Sequence, residues 1–235
     1  MAEHSDAFMA DRRIIVALDV PERERTLELA TALAPEVAMV KIGLESFIAH
    51  GPSLVTDLRD AGTEVFLDLK LHDIPRTVGA AAREASSLGA RLLTVHAAGG
   101  GEMIRAARDA AGSETLIIAV TVLTSLDQNA VEQVGFVGTV EDTVFRLAEL
   151  SLGAGANGLV SSALELPALS SLSGVRVVPG VRPKGSAAGD QKRVATPEDA
   201  VAAGATYLVV GRPIVQAADP VAAARAINVA VGVAS

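Results

Sequence analysis

Apolar and polar positions alternate along this chain in two recurring patterns. Short runs rich in β-branched and aliphatic residues occupy positions 14–18, 39–42, 65–69, 92–95, 116–122, 158–160, 175–178 and 207–210. Each is too short for a buried helix and is bounded by Gly, Pro or polar residues, which predicts parallel strands covered on both faces. Between them lie stretches rich in Ala, Leu, Glu and Arg with helical spacing, such as 22–34, 78–88, 103–111 and 140–150. Start signals agree with this reading. Ser162 followed by Glu165 has the form of a capping box, and Thr196-Pro197-Glu198-Asp199 sets a capping hydroxyl, an N1 proline and two acids at one helix start.

Eight strand–helix alternations in a chain of 235 residues predict a single (β/α)8 barrel, an α/β fold of roughly 250 residues. An open doubly wound sheet is the alternative. Composition does not change between the halves, which favours closure, and residues 13–235 are assigned to the barrel. Residues 1–12 carry Glu3, Asp6 and Asp11 without an apolar segment, so a mobile tail is expected there rather than a secretory signal.

Composition then narrows the function. Twenty Lys and Arg against 28 Asp and Glu give a net charge of −8, and aromatic residues make up only 3%. Nucleic acid is an unsuitable partner, because its binding draws on a concentrated basic face and on rings for stacking. The absence of cysteine removes disulfides, thiolate nucleophiles and thiolate metal sites, and fits a cytoplasmic location. Mean hydropathy is positive, yet no apolar run reaches the ~18 residues of a membrane-spanning helix.

One motif is a distractor. Gly153-Ala154-Gly155-Ala156-Asn157-Gly158 matches the dinucleotide fingerprint, but it follows a predicted helix and precedes a strand, the reverse of what that motif needs. Gly99-Gly100-Gly101 does follow a strand, and a tight turn is the simpler reading than a ligand contact.

A barrel carries its chemistry at the carboxyl ends of the strands. The polar residues there are Asp19, Lys41, Asp68, Lys70, Asp73, His96, Thr124, Ser125, Arg182 and Arg212. In the third strand, alternation sends Asp68 and Lys70 to one side with apolar residues between them. A buried ion pair is a poor device for stability, because desolvation offsets most of the attraction, so this pair points to function. A lysine flanked by carboxylates is held as the ammonium ion. That suits proton donation and stabilisation of negative charge, and it suits a Schiff-base nucleophile badly. Lys41 and Lys70 would also oppose a metal ion at Asp68 and Asp73, and His4, His50, His72 and His96 form no metal-binding pair. His72 reads as a packing or supporting residue; His96 reads equally as a structural lining of the mouth or a ligand contact. After the seventh and eighth strands, Pro179-Gly180-Val181-Arg182-Pro183, a loop containing Gly185, Gly189, Asp190, Gln191, Lys192 and Arg193, and Gly211-Arg212-Pro213 suit a phosphate site. The loop over 182–193 is expected to act as a lid.

Asp68-Leu69-Lys70-Leu71-His72-Asp73-Ile74-Pro75-Arg76-Thr77, taken with Ala17-Leu18-Asp19, Val40-Lys41-Ile42-Gly43, Val122-Leu123-Thr124-Ser125, Pro179-Gly180-Val181-Arg182-Pro183, Gly189-Asp190-Gln191-Lys192-Arg193 and Gly211-Arg212-Pro213, resembles the bacterial orotidine 5′-phosphate decarboxylases. The matches run in order from the first strand to the last. The resemblance implies cofactor-free, metal-free decarboxylation of orotidine 5′-phosphate to UMP and CO2, the last step of pyrimidine nucleotide synthesis. It implies Lys70 as the proton donor to C6, Asp68 near the departing carboxylate, and Asp19, Lys41 and Asp73 on the ribose hydroxyls and in the charged network. Thr124 and Ser125 would lie by the pyrimidine, and Gln191, Gly211 and Arg212 on the phosphate. Ile74, Pro179 and Arg182 would be further substrate contacts. It also implies a homodimer in which Asp73 and Thr77 reach into the partner's site. Two rivals remain. One is the related Mg²⁺-dependent sugar-phosphate enzymes, whose second strand supplies an acid where this chain has Lys41. The other is a noncatalytic nucleotide-binding barrel, which the intact Asp68, Lys70 and Asp73 set argues against.

Overall fold

Eight short strands follow one another around a closed parallel barrel: β1 (Ile14–Ala17), β2 (Met39–Gly43), β3 (Val65–Leu71), β4 (Ala90–His96), β5 (Leu116–Val120), β6 (Gly158–Val160), β7 (Val175–Val178) and β8 (Tyr207–Val210), with β8 pairing back onto β1. This computed structural model describes residues 12–183 and 195–233. The expected tail at 1–12 therefore falls outside the described residues save for Arg12, and so does the loop at 184–194 with Gln191.

The connecting helices are α1 (Arg23–Leu33), α2 (Leu44–His50), α3 (Pro52–Asp60), α4 (Pro75–Ser87), α5 (Gly101–Ala110), α6 (Gln128–Gln133), α7 (Val140–Gly153), α8 (Pro197–Ala202), α9 (Arg212–Val215) and α10 (Pro220–Ala230). Their starts follow local chemistry. Thr139 and Asp142 form a reciprocal capping box on α7, Thr196 accepts from the Asp199 N–H at the start of α8, and Pro75 opens α4 at a position where the missing N–H is harmless. On α4 the buried positions Val78, Ala82 and Ala85 recur at helical spacing and turn one face onto the barrel.

Alternation along each strand divides the core in two. Outward side chains such as Ile14, Val16, Val40, Leu67 and Leu93 pack under the helices, whereas Ile15, Met39, Phe66, Leu92, Ile118, Val177 and Tyr207 fill the barrel interior. Each large aliphatic side chain sealed in this way contributes about 1.5–3 kcal/mol. The interior is thus plugged from below, and only the layer nearest the carboxyl ends is left for polar groups.

Two expectations need correction. The sixth connection carries no full helix. A 3₁₀ turn at Ala163–Glu165 and further turns replace it, because Pro167 and the Ser- and Gly-containing stretch after it do not sustain a helix. Arg176, buried on β7, donates instead to the carbonyls of Leu169, Leu172 and Gly174 and closes that segment. The second correction concerns β3, where the regular alternation breaks at Lys70.

The Gly153–Gly158 stretch joins the end of α7 to β6, as its order of elements requires. Gly158 is dictated by close strand packing: a Cβ there would lie 2.3 Å from the Val175 carbonyl oxygen. Likewise Gly99–Gly101 forms a turn from a short 3₁₀ segment into α5.

Candidate active site

A cleft of about 660 Å³ opens at the carboxyl ends of the strands, a volume that suits a small ligand. Its floor is apolar, formed by Phe66, Val120, Val160, Val177 and Val209, and its polar wall is built from Asp19, Lys41, Asp68 and Lys70. Thr124 and Ser125 after β5, Pro179 and Arg182 after β7, and Gly211 and Arg212 after β8 line the same space. Among the described residues, two carboxylates and four cationic side chains face this cleft, so it is locally positive in a chain whose net charge is −8. Such a contrast draws an anionic ligand to one end of the barrel.

Asp68 is the hub of the polar wall. Lys70 Nζ donates to both of its oxygens at 2.9 and 2.8 Å, Lys41 Nζ lies 3.6 Å from Oδ2, and Thr94 Oγ1 donates to Oδ1 at 2.9 Å. Lys41 in turn lies 3.5 Å from Asp19 Oδ1, so four charged groups, Asp19 just after β1, Lys41 on β2, and Asp68 and Lys70 on β3, form one chain of alternating sign. Gly43 keeps room for it, since a Cβ at that position would come to 3.0 Å from Lys41 Nζ. Burial pushes the Asp68 carboxyl up, but the Lys41 and Lys70 charges and the hydrogen bonds from Lys70 and Thr94 overcome it and hold Asp68 below the usual carboxylate range.

That direction fixes a pH dependence. The stability contributed by ionised Asp68 is fully present above the unfolded carboxylate value of about 3.9 and is lost as pH falls through the lower folded value. Urea unfolding of Asp68→Asn is accordingly expected to depend less steeply on pH below about 4 than that of the parent protein. Parallel curves would remove Asp68 as a source of acid lability.

The third strand reaches this arrangement by a route other than simple alternation. Leu67 pairs with Leu93 and Leu71 with Val95, so residues 68–70 oppose Thr94 alone. Lys70 has φ +51°, the only positive value at a non-glycine position among the described residues. A left-handed lysine inside a strand is strained, and such strain gathers at functional sites. The expected meeting of Asp68 and Lys70 thus occurs across a bulge in the backbone.

Asp73, Ile74 and Thr77 do not enter this cleft. All three are exposed, and the Asp73 carboxylate accepts from the Ile74 N–H at 2.6 Å at the start of α4. His96 also stays out of the cleft; it packs against His72 with ring centroids 5.5 Å apart, and burial followed by the His72 and Lys70 charges lowers its pKa. Two polar residues escaped sequence reasoning. Gln216 lines the cleft after α9, where nothing in the sequence distinguished it from a surface glutamine. Thr94 is fully buried beneath Asp68, and the available signal was a lone hydroxyl in the apolar run of β4.

Residues 12–227 match the family model described as Orotidine 5′-phosphate decarboxylase / HUMPS family. The chain belongs to that family. It is 56% identical over 218 residues to an orotidine 5′-phosphate decarboxylase of Anaeromyxobacter sp. (strain K), covering 92% of this chain and 96% of the relative. An orotidine 5′-phosphate decarboxylase of Thermobifida fusca is 53% identical over 218 residues, covering 91% and 93%. In structure, the barrel is similar to a crystal structure of the orotidine 5′-phosphate decarboxylase from Lactobacillus acidophilus, with a TM-score of 0.84, 35% identity and coverage of 94% and 100%. Among the described residues no helix is long and apolar enough to cross a membrane, and no group of three or more His, Cys, Asp or Glu is placed to hold a metal ion.

Proposed function

We propose that this chain is a carboxy-lyase that converts orotidine 5′-phosphate to UMP and CO2 in pyrimidine nucleotide synthesis, with Lys70 as the proton donor. Lys70 Nζ, clamped by both oxygens of Asp68 at the mouth of the barrel, is the observation that carries this reading. Loss of CO2 breaks the bond between C6 and the carboxylate and leaves the electron pair on C6, where the ring offers no adjacent sink. A preorganised ammonium stabilises that charge without reorganisation and then transfers its proton to C6; solvent restores the proton to Lys70. Asp68 sits near the departing carboxylate. Asp19 and Lys41 hold the ribose, with Thr124, Ser125 and Pro179 beside the pyrimidine. Arg182, Gly211 and Arg212, together with Gln191, receive the phosphate, and its binding energy away from C6 supports the reacting end. We place the reaction in the cytoplasm.

A divalent metal fits this wall poorly. Both oxygens of Asp68 are engaged by Lys70, and a cation there would meet Lys41 as well. The decisive experiment follows the ultraviolet absorbance of orotidine 5′-phosphate with dialysed, EDTA-treated protein. Rapid loss of the substrate spectrum is the expected result. No change with folded protein, together with turnover of a sugar phosphate on addition of Mg²⁺, would transfer the chain to the metal-dependent branch.

The reading includes a homodimer in which Asp73 and Thr77, with Ile74 beside them, complete the partner's site. Its support is the exposure of Asp73 on the β3–α4 turn and of Thr77 in the first turn of α4, with the large apolar side chain of Ile74 between them 61% exposed. Mixing Lys70→Ala with Asp73→Asn is expected to restore activity, because one of the two sites in the mixed dimer then carries neither lesion. Proven subunit exchange without recovery would place Asp73 in its own protomer's chemistry.

A further inference from the structure

Thr94 ties the strained backbone of β3 to the charged cluster above it. Its hydroxyl accepts the Lys70 backbone N–H at 2.9 Å and donates its only proton to Asp68 Oδ1, also at 2.9 Å. The side chain is fully buried on β4, directly opposite the bulge at residues 68–70. In a regular parallel ladder the N–H of a strand residue meets a carbonyl of the neighbouring strand. At Lys70 the bulge has removed that partner, and the threonine hydroxyl takes its place.

We propose that Thr94 is a positioning residue, whose single hydroxyl sets both the left-handed backbone of Lys70 and the orientation of the Asp68 carboxylate, so that Lys70 Nζ faces the cleft. The kinetic part of this inference rests on the decarboxylase reading; the structural part does not. Valine has nearly the same shape as threonine and no hydroxyl. In that variant a half-buried N–H loses its acceptor and the carboxylate loses one donor at the same time, while Lys41 from β2, Lys70 from its own strand, and the more distant Asp19 and His96 still surround it.

The test compares Thr94→Val and Thr94→Ser in steady-state kinetics across pH, alongside titration of the Asp68 carboxyl carbon by NMR in the ligand-free protein. For Thr94→Val the expected result is a fall in kcat of about 10- to 100-fold with little change in KM, the size of a lost hydrogen bond to a charged group. The acid limb of the profile and the Asp68 titration should both move upward, because the ionised form has lost a donor. Thr94→Ser should restore both. Parent-like kinetics and titration in Thr94→Val would overturn the assignment. So would a loss of kcat that serine does not restore, or one with an unmoved Asp68 titration, either of which makes the residue a packing group. If the parent protein does not turn over orotidine 5′-phosphate, the decarboxylase reading fails by itself, and the Asp68 titration still decides the role of Thr94. Should Thr94→Val fail to fold, Thr94→Cys, which fills the site with a weak hydrogen-bonding group, is read in the same way.

Discussion

Replacing Lys70 by alanine is expected to lower the turnover of orotidine 5′-phosphate by at least about 10⁴-fold while leaving the barrel folded. Two losses combine: the proton donor, which contributes 10²- to 10⁴-fold in general acid catalysis, and a preorganised positive charge at the reacting carbon, worth a further 10²- to 10³-fold or so. The fold should survive because Asp68 is not orphaned. Lys41 stays 3.6 Å away and the Thr94 hydroxyl still donates to it. Alanine also keeps the left-handed backbone strained, so no gain in stability is expected from relief at that position. Absorbance kinetics and thermal unfolding, run on the same preparation, check both halves. Turnover near that of the parent enzyme would remove Lys70 as the proton donor.

Asp68→Ala is expected to damage stability as well as catalysis. The substitution leaves Lys41 and Lys70 facing each other with no carboxylate between them, and it takes the acceptor from Thr94. Breaking a buried pair by removing one partner costs about 3–5 kcal/mol; the lower end applies here, since Lys70 is partly exposed and its ammonium can turn toward solvent. Turnover should fall by orders of magnitude, because Nζ of Lys70 loses both bonds that hold it at the mouth. Urea denaturation beside the absorbance assay distinguishes the two effects. An unchanged unfolding free energy would mean that the cluster contributes to chemistry alone.

These two substitutions also mark the boundary between what was legible along the chain and what was not. The eight strands could be read because each is a short apolar run covered on both faces, and such a run has only one way to avoid water. The cleft-lining residues Asp19, Lys41, Asp68, Thr124, Ser125, Arg182 and Arg212 could be read for a related reason. A charge or hydroxyl at the end of a buried strand is costly unless the strand opens into a polar site. The helix start at Thr196 was local too, since a hydroxyl within three residues satisfies the free N–H groups. The missing helix after β6 was less visible: Ser162 and Glu165 do form a capping box, but the turn that it opens is not continued.

By itself, then, the sequence determined the barrel and most of the polar groups at its mouth, because period and burial are properties of neighbouring residues. Tertiary structure decided how those groups meet. Lys70 reaches Asp68 through a bulge whose unpaired N–H is met by Thr94, 24 residues further along the chain. Asp73 stays out of the cleft and accepts the Ile74 N–H just before α4, although it lies only three residues beyond Lys70. Neither outcome follows from alternation, because each is set by a hydrogen bond formed only after distant or irregular backbone has been brought into place.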